Sequence, residues 1–116
     1  MTAKLQIYKD SLELVKMLYR AMPEMPRKDR FQIGGDIMER SYELLDYIVL
    51  ANQTRVKTER LNHLDNFFNS FVRLKTLLLL CRDLRLLKDV TLARADILIV
   101  KISAQLNGWR QSTSRM

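Results

Sequence analysis

The chain has one cysteine, one histidine, two prolines and three glycines among its 116 residues, and each shortage excludes something. A lone Cys81 cannot close an intrachain disulfide, so nothing covalent staples the fold and a reducing, cytoplasmic setting is expected. His63 is the only imidazole, and Cys81 is the only sulfur ligand available to it besides thioethers. A zinc tetrad or a nucleophile–histidine relay therefore lacks its partners. The simplest reading makes His63 a surface residue near a helix start and Cys81 a small core hydrophobe. Too few glycines and prolines remain for the turns of a many-stranded sheet. "IGGD" (33–36) has neither the Lys-Ser/Thr of a phosphate loop nor the spacing of a dinucleotide fingerprint. No apolar run approaches the ~20 residues of a membrane span, and "MTAKLQIYKDSLE" lacks the apolar core of a secretory signal. The expectation is a protein with no cofactor, no metal, no membrane partner and no enzymatic centre.

What is present is apolar periodicity. Residues 1–116 read as one domain in which 47% of positions are hydrophobic. Leu5, Tyr8, Leu12, Val15, Tyr19 and Met22 recur at 3-4-3-4-3 spacing and predict a helix over 4–22. Pro23 and Pro26 end it. A second helix is expected over 29–52 with Ile37, Met38, Leu44, Leu45 and Ile48 inward, Phe31 and Gly34 starting its packing, and Gly34 and Ser41 forming a small-residue strip. A third spans 58–87, capped at Thr54 or Thr58, with Leu61, Leu64, Phe68 and Phe71 as its first stripe and Phe67, Leu74, Leu78 and Cys81 widening it. The fourth spans 91–109, with Thr91 as N-cap, Gly108 as C-cap and Leu92, Ala95, Ile99, Ile102, Leu106 and Trp109 as its stripe; residues 110–116 should fray. Four amphipathic helices on short connections predict an all-α, antiparallel, up-down-up-down bundle.

Two features exceed what a lone bundle needs. "YIVL" (47–50), "LLLL" (77–80) and "ILIV" (97–100) put four consecutive apolar residues on a helix, sweeping roughly 300° at about 100° per residue. One stripe faces the core, so the surplus predicts a homo-oligomer. Charge is also segregated. Residues 32–53 carry Arg40 against Asp36, Glu39, Glu43 and Asp46, a net of −3, so with +7 overall the rest of the chain carries +7 minus −3, that is +10. The four acids share one face, but a di-metal bundle site also needs Glu-x-x-His pairs that the chain lacks. The face is either solvated or docked on basic residues of another subunit.

In the predicted topology Arg20, Arg27, Lys28 and Arg30 gather at one end with Arg82, Arg85, Lys88 and Arg94, while Lys75, Arg82 and Arg85 share a face of the third helix. Such a surface tracks phosphates of RNA or DNA without reading sequence. Lys4, Arg55, Lys57, Arg60, Arg110 and Arg115 collect at the other end.

The segments "MPRKDRFQIGGDI", "LANQTRVKTERLNHLDNFFNSFVRLKTLLLLCRDLRLL" and "LNGW", in this order from about Tyr8 to Trp109, resemble the Avd-like four-helix bundle proteins. These are accessory proteins of diversity-generating retroelements, related to bundle proteins of 23S rRNA intervening sequences. Pro26, Arg30-Phe31, Gly34, Arg73-Leu74, Arg82-Asp83-Leu84 and Gly108-Trp109 match the family pattern; Asn107 stands where a first glycine is common. The matched residues look structural. The resemblance implies a homopentameric basic barrel that binds a reverse transcriptase and nucleic acid and supports mutagenic cDNA synthesis. The alternative is a related bundle serving as an interaction module without a reverse-transcriptase partner.

Overall fold

The computed structural model describes the backbone of residues 3–116 and the side chains of residues 6–116. Helix α1 (Ala3–Ala21) runs into a single 3-10 turn (Met22–Glu24), where Pro23 removes the amide that would continue the α-helix. Met25 and Pro26 are extended, and the chain resumes as α2 (Arg27–Asp29), a π-turn (Arg30–Gly34) and α3 (Gly35–Gln53). Residues 29, 30, 34 and 35 at these junctions keep right-handed helical dihedrals, so the three pieces form one rod with a π-bulge near its start. Helices α4 (Lys57–Asp83) and α5 (Asp89–Ser114) follow. Packing closes a ring in which α1 touches α3 and α5, and α4 touches α3 and α5, within a body of 46 × 22 × 20 Å. This is the antiparallel bundle expected from the periodicity, and among the described residues it contains no strand.

The core is assembled from Leu14, Leu18, Ile37, Leu44, Leu64, Phe67, Phe71, Leu74, Ile102 and Leu106, all essentially excluded from solvent. Several facings differ from the expected stripes. On α1 the most deeply buried line is Ile7, Ser11, Leu14 and Leu18; of the expected stripe Val15 and Met22 are buried and Tyr8 packs against the core, but Tyr19 is 67% exposed. The predicted line lies one position, about 100°, around the helix. Both lines are largely apolar, and contact with α3 and α5 together selects between them. The side chain of Leu5 lies outside the described residues. On α4, Phe67 is in the core and Phe68 is exposed. Phe31 does not begin the packing of α3: it is 75% exposed, because the π-bulge leaves Ile33 and Gly34 to meet the rest of the bundle.

Helix ends differ as well. α4 stops at Asp83, not 87, in a Schellman turn: the Leu86 N–H donates to the Cys81 carbonyl (2.8 Å) and the Arg85 N–H to that of Arg82 (3.2 Å). Arg85 occupies the left-handed position usually held by glycine, at φ 55°. Thr91 lies inside α5 and is not its N-cap. Gly108 is no C-cap either; α5 continues through it to Ser114, with Thr113 buried, so 110–114 are helical where fraying was expected. Neither Thr54 nor Thr58 is the N-cap of α4, which is Val56. Thr54 instead accepts from the Val56 N–H (3.2 Å) and donates to Glu59 (2.7 Å).

Candidate nucleic-acid and partner interface

The site is built where the α1–α2 and α4–α5 connections meet. Glu24, held in the turn by Pro23, reaches across to α5 and accepts two hydrogen bonds, from the Lys88 N–H (2.8 Å) and the Thr91 hydroxyl (2.7 Å). A carboxylate distant in sequence thus does what an N-cap side chain does locally: it satisfies an amide at the start of the helix and opposes the positive end of its dipole. Arg30 locks the other side of the same hinge. Its Nε donates to the Met22 carbonyl and one terminal nitrogen to the Met25 carbonyl, both at 3.2 Å. Gly34 is where the hinge packs down: a Cβ there would lie 3.1 Å from the Met22 sulfur.

These clasps bring both groups of predicted basic residues to one end. Arg20, Arg27, Lys28, Arg82, Arg85, Lys88 and Arg94 are all exposed. Arg82 pairs with its neighbour Asp83 at 3.5 Å, both well exposed. Among the described residues no carboxylate lies within ion-pair distance of the side chains of the other six. Eight cations, Arg30 included, stand at this end against Glu24, Asp29, Asp83 and Asp89, so the surplus is positive but diluted. Arg85 does not share a face of α4 with Lys75 and Arg82, because the helix ends before it. Lys75 is half-buried, its ammonium 4.9 Å from the Phe71 ring centre. Lys75 and Arg82 line a cleft of about 460 Å³ between α4 and α5, opposite Asp89 and Asp96. That cleft is mixed in sign and adds little to a positive field. Of the matched structural residues, Pro26 begins α2, Gly34 packs the hinge and Trp109 is buried, whereas Gly108 has open space around it.

Half of the acidic stripe, Asp36 and Glu43, is used inside the chain, and Glu39 and Asp46 are exposed. Arg73 donates to Asp36 at 3.0 Å, Arg40 lies 3.5 Å from Asp36 and 3.3 Å from Glu43, and the Ser70 hydroxyl donates to Glu43 at 2.8 Å. Sequence reading had no means of finding this α3–α4 network. Nor did it find the buried Asp10, which accepts from Gln6 (3.1 Å) and Gln105 (2.8 Å).

Among the described residues no group of three or more His, Cys, Asp or Glu is placed to hold a metal ion, and no helix is long and apolar enough to cross a membrane. Cys81 lies buried under the cationic end, and burial, with a smaller contribution from Asp29, pushes its thiol up from 9.0 to about 11.

The arrangement of rods, hinge and closing Gly-Trp segment agrees with the resemblance seen in the sequence, and a sequence model described as bAvd-like matches residues 5–113. The chain belongs to the bAvd-like family. No curated protein matches it. In this bAvd-like bundle the apolar surplus is on the outside: Val49 and Leu50 on α3, Leu79 and Leu80 on α4, and Ile97 (59%) and Val100 (62%) on α5 are all exposed. On α5 the exposed positions Val90, Ala93, Ile97, Val100 and Ala104 follow 3-4-3-4 spacing, an unpartnered seam of the kind that packs against another helix.

Proposed function

We propose that the chain is a non-enzymatic, cytoplasmic accessory protein of a diversity-generating retroelement. In this reading it assembles as a homopentamer and binds the element's reverse transcriptase and the backbone of RNA or DNA. The observation that carries the reading is the cationic end. Arg20, Arg27, Lys28, Arg85, Lys88 and Arg94 are held exposed and unneutralised on a bAvd-like chain by clasps from two connections. Phosphates are the ligands such a surface fits, and contacts of this type position a nucleic acid without reading its bases. The outer seam of α5 supports self-assembly, since its exposed apolar residues follow one continuous line and left uncovered would form an apolar patch. Assembly would repeat the cationic end around a ring and multiply its field.

Duplex binding should ignore sequence and weaken steeply with salt, with a log–log slope of roughly −4 to −6 if five to seven phosphates are engaged. Arg82→Glu with Arg85→Glu should abolish binding to duplex and to the reverse transcriptase without unfolding the chain; retention of both activities would remove the cationic end from the reading. Light scattering should give a mass several times 13.7 kDa, and Ile97→Asp with Val100→Asp should reduce it to that of one chain. Copurification with a reverse transcriptase encoded nearby decides between the accessory role and an interaction module with another partner.

A further inference from the structure

We propose that the cleft between the end of α1 and the start of α3 receives an apolar side chain from an acidic peptide segment of a protein partner. The cleft has a volume of about 380 Å³. Tyr19 and Tyr42 stand at its sides, exposed, and Met22 and Met38 form its largely buried floor. Tyrosine presents a large rigid ring at low entropic cost, and methionine adapts to the shape of what it meets.

Gly35 points to an occupant. Its backbone is ordinary right-handed helix (φ −60°, ψ −44°), and a Cβ added to it would meet nothing within 4 Å. Nothing inside the chain calls for a glycine there, although glycine within a helix costs about 1 kcal/mol relative to alanine. Its neighbour Gly34 differs, because its Cβ would press on Met22. A bare backbone facing an open apolar cleft suits the close approach of an external group.

The rim selects the partner by charge. Arg30 lines the cleft with two of its nitrogens bound to the Met22 and Met25 carbonyls, which leaves its remaining terminal nitrogen for a carboxylate. Arg20, in the last turn of α1, and Arg27 and Lys28, on α2, flank the hinge without lining the cleft. Glu24 is tied to α5 and Asp36 is paired with Arg40 and Arg73, so these four cations stand against Asp29 and Glu39. A nucleobase fits this cleft less well. Its edge would be buried against methionine and glycine, and each unpaired polar group so buried costs about 1–3 kcal/mol. An aliphatic or aromatic side chain carries no such groups.

The inference goes beyond the polyanion reading, and the two fail separately. The test uses the full chain labelled with ¹³C at its methionine methyls, titrated with a panel of short capped peptides carrying a central Leu or Phe flanked by glutamates. The Met22 and Met38 methyls should shift saturably while that of Met116, at the other end, stays in place. Gly35→Gln should weaken the peptides at least tenfold without lowering the melting temperature, and should leave duplex binding unchanged. Lysine-flanked peptides should bind at least tenfold more weakly. The proposal is overturned if no glutamate-flanked peptide gives saturable Met22 and Met38 shifts, or if Gly35→Gln leaves them intact. It is also overturned if oligothymidylate produces the same shifts in competition with the peptides, or if they appear on concentrating the chain alone, which would make a second copy the occupant. Loss of duplex binding in Arg82→Glu/Arg85→Glu with peptide binding retained would bear on the function reading only.

Discussion

The two ends of the bundle are both rich in arginine and use it in opposite ways. At the end where α3 turns into α4, three of the cations, Lys57, Arg60 and Arg110, are engaged by the fold, while Arg55 and Arg115 are exposed. Arg60 is only 8% exposed, and its guanidinium donates to the Ala51 carbonyl at 3.0 Å, the Thr54 carbonyl at 2.6 Å and the Met116 sulfur at 3.6 Å. It gathers the last carbonyls of α3 and the end of the chain in one grip, where a cation also complements the helix dipole. Arg110 pairs with Asp65 at 2.8 Å and covers the Phe68 ring, and Lys57 reaches the Met116 carbonyl. At the hinge end Arg30 is tied to two carbonyls and Arg82 makes one exposed pair with its neighbour Asp83, and the other six extend into solvent. Arginine count alone therefore says little about a binding surface. What counts is how many of those cations the chain has already satisfied.

The comparison can be broken from either side. Arg60→Ala should have the largest effect, a loss of about 2–4 kcal/mol in urea unfolding, because two carbonyls and a buried site lose a charged donor. The same change at Arg27 or Lys28 should stay within about 0.5 kcal/mol. If the two ends respond alike, the distinction between them fails. Glu24→Ala comes next, at about 1–2 kcal/mol, since it strips a carboxylate cap from α5. Amide exchange at the first turn of α5 should rise more than elsewhere. Arg85→Gly is expected to work in the opposite direction and raise stability by roughly 0.5–1 kcal/mol, because glycine adopts the left-handed position without the Cβ penalty. The same substitution should weaken duplex binding, so that stability and binding move apart. The smallest effect at neutral pH concerns Cys81. Its thiol is raised in the folded chain, so the fold favours the protonated form. Stability from this group is complete below about pH 9 and falls as the pH rises toward about 11. Cys81→Ala should flatten that part of a pH–stability profile, and alkylation of native Cys81 should remain slow at pH 8.

Much of the architecture was legible in the sequence because helices announce themselves locally. The 3-4 recurrence of Ile37, Leu44, Ile48 and of Ala95, Ile102, Leu106, Trp109 is a property of neighbouring residues, and all seven are buried. Misreadings arose where two apolar lines compete on one helix. Tyr19 against Leu18, and Phe68 against Phe67, are choices that hydrophobicity cannot make, since the winner depends on which neighbours close around the helix. Phe31 was misplaced for another reason: a π-bulge changes the register of a helix, and nothing in "RKDRFQIGG" (27–35) marks it. The basic cluster was visible as composition and position along the chain, but its worth was not. That Arg60 is spent and Arg27 is free follows from which carbonyls and carboxylates the fold delivers to each.

The sequence by itself determined an all-helical chain of four long segments, a proline hinge, an excess of positive charge and more apolar surface than one core needs, because each of these is carried by local spacing or by simple count. The tertiary structure alone decided which faces are buried, that Asp36 and Glu43 are engaged by Arg40, Arg73 and Ser70, that Glu24 secures α5 from 64 residues away, and that a cleft opens beside Gly35. Those outcomes depend on contacts between residues far apart in the chain, whose partners are fixed only when the helices pack.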